Sequence, residues 1–178
     1  MRLFIGIFPD ERIINELVKI QNQIEDLPET KLIQKEQLHI TMKFLGEVDQ
    51  EKLSEVKSIL STIKFDSFEV SLGKLGFFPS ENFIRIVWID AIPNEKIIEL
   101  QKKIENSLDP MFQKEGNFYP HITIARVGIV KNKTSFITKV HESKFEKLLF
   151  KINEFKLMHS QLTPKGPVYS ELATFKAK

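Results

Sequence analysis

The stretch Leu38-His39-Ile40-Thr41-Met42 returns 82 positions later (121 − 39) as Pro120-His121-Ile122-Thr123-Ile124. In both copies apolar residues alternate with one His and one Thr, which is the pattern of a β-strand that buries a single face. We therefore predict two strands that each present a His and a Thr on the side opposite the core. In the first strand, strict alternation assigns Leu38, Ile40, Met42 and Phe44 to the core, and His39, Thr41 and Lys43 to the open face.

The residues around the two His strands repeat as well. The pattern Pro-Asp-Glu-Arg-Ile-Ile at positions 9–14 returns as Pro-Asn-Glu-Lys-Ile-Ile at positions 93–98, after an apolar strand in both cases. An acidic residue in the first turn favours a helix N-terminus, so both copies predict a helix. Further helices are predicted from Gln50 to Ile63 and from Thr134 to Ser143, with turns from Pro79 to Asn82 and from Pro164 to Pro167.

Two such halves, roughly residues 1–82 and 83–178, predict a single domain spanning residues 1–178. The expected fold is α+β and bilobal, with two pseudo-symmetric lobes of mostly antiparallel sheet, because short turns join many of the strands. Helices are expected on the outside of the lobes. The symmetry would bring the two His-Thr faces together in a central cleft.

The composition of the chain excludes several classes of function. The 178 residues carry 26 basic and 24 acidic side chains, a net charge of +2 that gives little support for binding long duplex nucleic acid but leaves a small anion or an RNA end open. There is no Cys, no metal-ligand spacing among the His and carboxylates, and no Gly-rich phosphate loop, so we expect neither a metal nor a cofactor. The apolar run Leu3–Phe8 is too short for a signal peptide or a membrane span, so we expect a cytoplasmic protein with no membrane partner.

Two imidazoles that titrate near neutral pH can act together as an acid and a base. This pair suits in-line displacement at phosphorus, in which one His deprotonates the nucleophile and the other protonates the leaving oxygen. Threonine hydroxyls are donors for the non-bridging oxygens. A duplicated structural feature, such as a His-Thr hydrogen bond that orders each sheet, is the alternative that the residues alone leave open.

The segments Leu38–Gly46 and Tyr119–Arg126 resemble the two signature motifs of the 2H phosphoesterase superfamily. The nearer match is the RNA 2′,3′-cyclic phosphodiesterases, historically called 2′-5′ RNA ligases. Arg2–Ile5, Leu75–Pro79 and Ser160–Tyr169 are similar to further landmarks, so that the resemblance covers essentially the whole chain. It implies metal-independent opening of a cyclic phosphate to a 2′-phosphomonoester, with His39 as the proton donor and His121 as the proton acceptor.

The resemblance also implies phosphate contacts from Thr41 and Thr123, and Arg126 matches a position that can contact phosphate. Strict alternation from His121, however, places Arg126 on the core side, so it reaches the cleft only if the strand bulges or ends first. Lys43 is a fourth candidate phosphate contact because alternation puts it on the face of His39.

The expected partner is an RNA with a 2′,3′-cyclic phosphate end, including tRNA fragments, or a small cyclic nucleotide, bound by a monomer. The alternatives are a 2′-5′ RNA ligase acting on tRNA halves and a non-catalytic module that binds RNA ends. Two intact His favour the enzyme, because a binding module does not require two titrating groups.

Overall fold

The computed structural model describes residues 1–164 and 166–178; Lys165, in the second predicted turn, lies outside the described residues. The elements in chain order are β1 (Arg2–Ile7), α1 (Glu11–Ile24), β2 (Thr30–Leu32), a 3₁₀ turn (Lys35–Gln37), β3 (Ile40–Glu47), α2 (Gln50–Ser61), β4 (Phe68–Ser80), β5 (Phe83–Ile92), α3 (Glu95–Ser107), β6 (His121–Val127), α4 (Lys133–His141), β7 (Leu149–Ile152), β8 (Glu154–Thr163) and β9 (Gly166–Lys176).

The strands form one sheet in the order β7-β4-β5-β6-β3-β1-β8-β9, and β2 pairs with β6 beside this path. Every strand pairing described is antiparallel. The α+β class with a mostly antiparallel sheet is therefore confirmed. The three-residue strand β2 was not predicted from the sequence, because it is too short to carry a hydrophobic period.

The four predicted helices are present, and the helix that opens each half begins at Glu11 and at Glu95. Asp10 caps α1 by accepting hydrogen bonds from the backbone N–H groups of Arg12 and Ile13. The apolar side of α1 packs on β6, and α3 packs on β3. None of the helices in the described residues is long and apolar enough to cross a membrane.

Each lobe contains strands from both halves of the sequence. One side of the sheet consists of β3, β1, β8 and β9, and the other of β6, β5, β4 and β7. Strand β8 from the second half therefore pairs with β1, and β4 from the first half pairs with β5. Because each half contributes strands to both sides, the sequence boundary near residue 82 is not a boundary between lobes.

Candidate active site

A cleft of about 610 Å³ opens where the two sides of the sheet meet. The strands β3 and β6 adjoin there through one residue pair, Ile40 with Ile122. Both Ile are fully buried, as are Leu38 and Ile124. Because side chains alternate between the two faces of a strand, the remaining side chains point to the opposite side. These are His39, Thr41, His121 and Thr123, and all four line the cleft.

Both imidazoles are held by backbone carbonyl groups two residues earlier in the chain. His39 Nδ1 donates to the Gln37 carbonyl at 2.6 Å, and His121 Nδ1 donates to the Tyr119 carbonyl at 2.7 Å. A carbonyl oxygen can only accept, so each Nδ1 carries a proton and Nε2 is the atom left to exchange one. The neutral Nε2 of His39 accepts a hydrogen bond from the Thr41 hydroxyl at 2.9 Å.

The surroundings of the pair disfavour the imidazolium form. Burial lowers the pKa of His39 to about 4; the Gln37 carbonyl opposes that shift, and the nearby His121 adds to it. Burial also lowers the pKa of His121, against the opposing effect of the Tyr119 carbonyl. In these surroundings both rings are neutral at pH 7. An anionic phosphate placed between them would favour protonation, because an opposite charge raises the pKa of a nearby imidazole.

A β-bulge interrupts both His strands three residues after the His. The register of β3 on β1 shifts at Met42, and the register of β6 on β5 shifts at Ile124. An extra residue in one strand reverses the alternation beyond it. The two bulges lie at equivalent positions, 82 residues apart (124 − 42), so the residues directly after each bulge present the opposite face. A second register shift follows in β3 at Leu45.

The bulge at Met42 makes two assignments from strict alternation wrong. Lys43, expected beside His39 on the open face, is 1% exposed and lies on the core side. Phe44, expected in the core, is 60% exposed and lines the cleft. The local pattern does not reveal this exchange, because the register shift depends on the pairing with β1.

Lys43 is occupied by protein groups rather than available to a phosphate. Its Nζ lies 2.6 Å from Glu105 Oε1 and donates to the Gln113 carbonyl at 2.9 Å. Glu105 also accepts the backbone N–H of Glu115 at 2.9 Å. Burial alone would raise the pKa of Glu105, but that N–H and the Lys43 ammonium together lower it below its usual range. Lys43 therefore ties the loop that leads to β6 onto β3 and α3, and its predicted phosphate contact has no support in this geometry.

The bulge at Ile124 has the opposite consequence for Arg126. It turns Arg126 to the open side, where the side chain lines the cleft. Lys31 on β2 is its cross-strand neighbour and also lines the cleft, as does Arg2. No carboxylate belongs to the described lining, so the cleft carries a positive field suited to an anionic substrate. Within the described residues there is also no group of three or more His, Asp or Glu arranged to hold a metal ion.

Sequence reasoning missed three cleft residues. No sequence pattern singled out Lys31, and Arg2 and Tyr169 lay in landmarks with no assigned role. Burial raises the pKa of Tyr169, while the charges of Arg126 and Arg2 partly oppose this shift, which places its hydroxyl near both cations. The Tyr169 ring also meets the edge of the His39 ring, with centroids 5.6 Å apart. The pairing of β8 with β1 and of β9 with β8 brings Arg2 and Tyr169 to the cleft, and the pairing of β2 with β6 places Lys31 beside Arg126.

The family model and the relatives that match this sequence agree with each other. A family model described as the 2′-5′ RNA ligase superfamily matches residues 9–163. The RNA 2′,3′-cyclic phosphodiesterase of Methanocaldococcus jannaschii is 39% identical over 171 residues, which cover 95% of this chain and 96% of that relative. The RNA 2′,3′-cyclic phosphodiesterase of Archaeoglobus fulgidus is 32% identical over 177 residues, which cover 98% and 99% of the two chains.

Solved structures agree on the fold. A crystal structure from Thermus thermophilus superposes with a TM-score of 0.86 and 27% identity, covering 99% of this chain and 97% of that one. The structure of E. coli LigT complexed with 3′-AMP superposes with a TM-score of 0.82 and 22% identity, covering 99% and 97%. The arrangement of the whole chain is therefore one that crystallography has already described.

Proposed function

The chain belongs to the 2′-5′ RNA ligase superfamily, and from this premise we propose that it hydrolyses RNA 2′,3′-cyclic phosphate ends to 2′-phosphomonoesters. The single observation that carries the proposal is the paired arrangement of His39 and His121 in one cleft, with Thr41 and Thr123 beside them. Relatives of 39% and 32% identity over nearly the whole chain bear the name of this activity.

The two imidazoles divide the proton transfers of the reaction. His121 Nε2 accepts a proton from water as the water oxygen attacks phosphorus. The bond from phosphorus to the 3′-oxygen breaks, and that oxygen takes a proton from Nε2 of protonated His39. In-line attack requires the nucleophile and the leaving group on opposite sides of phosphorus, which one His from each of the two central strands provides. The proton that left water ends on His121, and the product keeps its phosphate on the 2′-oxygen.

Protonation of His39 also prepares Thr41 to bind phosphate. The Thr41 hydroxyl donates to the neutral Nε2 of His39. Once Nε2 carries a proton it can no longer accept, so the hydroxyl proton of Thr41 becomes available to a non-bridging phosphate oxygen while the Nε2 proton is directed to the leaving 3′-oxygen. We assign the same role to Thr123, whose hydroxyl has no hydrogen-bond partner among the described residues, and assign Arg126 to the phosphate charge.

We propose that residues 1–178 act as one bilobal domain, as a monomer, on RNA ends that include tRNA fragments, and on small cyclic nucleotides. A non-catalytic module that binds RNA ends would need the positive cleft but not two carbonyl-oriented imidazoles. Joining of RNA halves through a 2′-5′ bond would use the same 2′,3′-cyclic phosphate at the same site. A 5′-hydroxyl would replace water as the nucleophile, and the bond from phosphorus to the 3′-oxygen would break as in hydrolysis.

Identification of the product tests the proposal. An RNA ending in a 2′,3′-cyclic phosphate should be converted to a 2′-phosphate, which chromatography against synthetic 2′- and 3′-phosphate standards distinguishes. An RNA with a 3′-phosphate and no cyclic end serves as the control and should not react. A 3′-phosphate product would show that the bond from phosphorus to the 2′-oxygen is broken instead of the bond to the 3′-oxygen. Tight binding of the cyclic end without turnover would show that the protein is the non-catalytic module that binds RNA ends.

A further inference from the structure

A buried carboxylate stands beside one of the two catalytic His and has no counterpart beside the other. Asp90 on β5 pairs across the sheet with His121 and is 3% exposed. None of the ion pairs among the described residues includes it. Its two oxygens instead accept hydrogen bonds from the Lys74 backbone N–H at 2.6 Å and from the Tyr119 hydroxyl at 2.7 Å. Burying a carboxylate without a cation is costly, and two hydrogen bonds offset only part of that cost.

Hydrogen bonds connect Asp90 to the imidazole through Tyr119. The Tyr119 hydroxyl donates to Asp90, and the carbonyl of the same residue accepts the Nδ1 proton of His121. Burial, followed by the hydrogen bond to Asp90, raises the pKa of Tyr119 to about 12, so the hydroxyl stays a donor at all working pH values. The Tyr119 ring also packs against Trp88, with centroids 5.2 Å apart. Tyr119 is thus fixed at its ring, its hydroxyl and its carbonyl.

The surrounding backbone is shaped to admit this carboxylate. Gly73 lies on the neighbouring strand β4, and a Cβ added there would lie 2.1 Å from Asp90 Oδ1. Any side chain at position 73 would therefore displace the carboxylate from the Lys74 N–H. The local geometry of β4 serves the placement of Asp90.

The other half of the sheet shows that the fold does not demand such a carboxylate. Ile7 pairs with Ile40 as Ile89 pairs with Ile122, so the positions equivalent to Asp90 and Tyr119 in the sheet are Phe8 and Gln37. The Phe8 ring stacks on His39 with centroids 5.1 Å apart, and the Gln37 side chain donates to the Pro167 carbonyl on β9. His39 is therefore held by the Phe8 ring and by the carbonyl of Gln37, a residue whose side chain is hydrogen-bonded to β9. The support from Asp90 and Tyr119 is specific to His121.

We propose that Asp90 is a positioning residue that acts through Tyr119 to hold His121 with its proton on Nδ1, which leaves Nε2 free as the base. The inference rests on the proposed function, in which His121 accepts the proton of water. A base whose proton moved to Nε2 would present an N–H to that water and could not accept. Misplacing a reacting group by about 1 Å is enough to cost roughly 10²-fold in rate.

The test combines kinetics with ¹⁵N NMR of the His rings in the full chain. Asp90→Ala and Tyr119→Phe should each lower kcat by about 10- to 100-fold while KM changes little, because substrate contacts are untouched. The double variant should lose little more than either single variant, since both act through one carbonyl. Asp90→Asn should retain most of kcat, because its amide can accept from the Lys74 N–H and donate to the Tyr119 oxygen.

The ring nitrogens report the mechanism directly. In the wild type His121 should show a protonated Nδ1 and a bare Nε2 at pH 7, and both Asp90→Ala and Tyr119→Phe should shift protons to Nε2. The signals of His39 should be unchanged. Glu16→Ala is the control for loss of a buried carboxylate, because Glu16 is also 3% exposed and accepts a backbone N–H, from Glu146, but it lies on α1 and pairs with Lys19. It should leave kcat and the His121 tautomer unchanged.

Wild-type kcat in Asp90→Ala and Tyr119→Phe, a loss confined to KM, or an unaltered His121 tautomer would overturn the inference. Tyr119→Phe removes a single oxygen atom and keeps the test decisive if Asp90→Ala does not fold. A wild-type protein without hydrolytic activity would overturn the proposed function instead. In that case the tautomer measurement alone decides the role of Asp90, because it needs no substrate.

Discussion

Replacing His39 or His121 with alanine is expected to slow hydrolysis of a 2′,3′-cyclic phosphate end by about 10²- to 10⁴-fold, the usual cost of losing a positioned acid or base. Each ring faces the cleft rather than the core, so the fold should persist in both variants. The rate is measured with excess enzyme in a single turnover. Circular dichroism and the thermal midpoint establish that the variants are folded.

His141→Ala is the matched control for this pair. His141 ends α4, where its ring meets the edge of Phe77 at 5.4 Å and its Nε2 lies 3.5 Å from Glu81. It is outside the cleft, so the rate should be nearly unchanged. Thr41→Val and Thr123→Val should cost less than either His variant, because in the proposed mechanism these hydroxyls bind phosphate and transfer no proton. A His141→Ala variant as slow as His39→Ala would contradict the assignment of the cleft as the active site.

A substrate in which sulfur replaces the 3′-leaving oxygen should restore much of the rate to His39→Ala. A thiolate leaves without protonation, so the acid is no longer needed. The same substrate should not rescue His121→Ala, which still lacks a base to deprotonate water. The measurement is the ratio of rates on sulfur and oxygen substrates for the wild type and for both variants.

Rescue of His121→Ala with no rescue of His39→Ala would reverse the roles of the two His. Failure to rescue either would point to a positioning or electrostatic function for the pair. The low pKa of His39 makes this experiment informative, because an acid must be protonated before it can act. A phosphate held between the two His would couple their pKa values, so a bell-shaped pH profile is expected to report the pair rather than either residue.

The repeat accounts for most of what could be predicted from the sequence. Alternation in Leu38–Met42 and Pro120–Ile124 predicts both His strands and their buried faces, because strand alternation is a local property. The repeat of this pattern predicts that the two open faces meet in one cleft. The helices starting at Glu11 and Glu95 followed from acidic first turns and apolar periodicity. Local patterns of this kind do not depend on which strand pairs with which.

The features that could not be predicted all depend on strand pairing. The bulges at Met42 and Ile124 exchanged the faces of Lys43 and Phe44 and settled the position of Arg126. In the sequence, Lys43 lies two residues from Thr41 and reads as its neighbour on the same face. Only the register on β1 shows that an extra residue intervenes and that Lys43 pairs with Glu105 in the interior.

The support of His121 is a second feature of this kind. Asp90 and Tyr119 lie 29 residues apart and meet because β5 pairs with β6. Neither residue belongs to a recognisable spacing, and the equivalent positions in the first half hold Phe8 and Gln37. A repeat predicts what its two copies share, and this contact is a difference between them.

The rate of cyclic phosphate opening by the wild type in the presence of a strong chelator tests the central claim most directly. The claim is that two imidazoles carry both proton transfers and that no divalent ion activates the water. We predict the same rate, and the same 2′-phosphate product, with and without the chelator. Loss of activity on chelation, with recovery on addition of a divalent ion, would contradict the account and assign the activation of water to a metal.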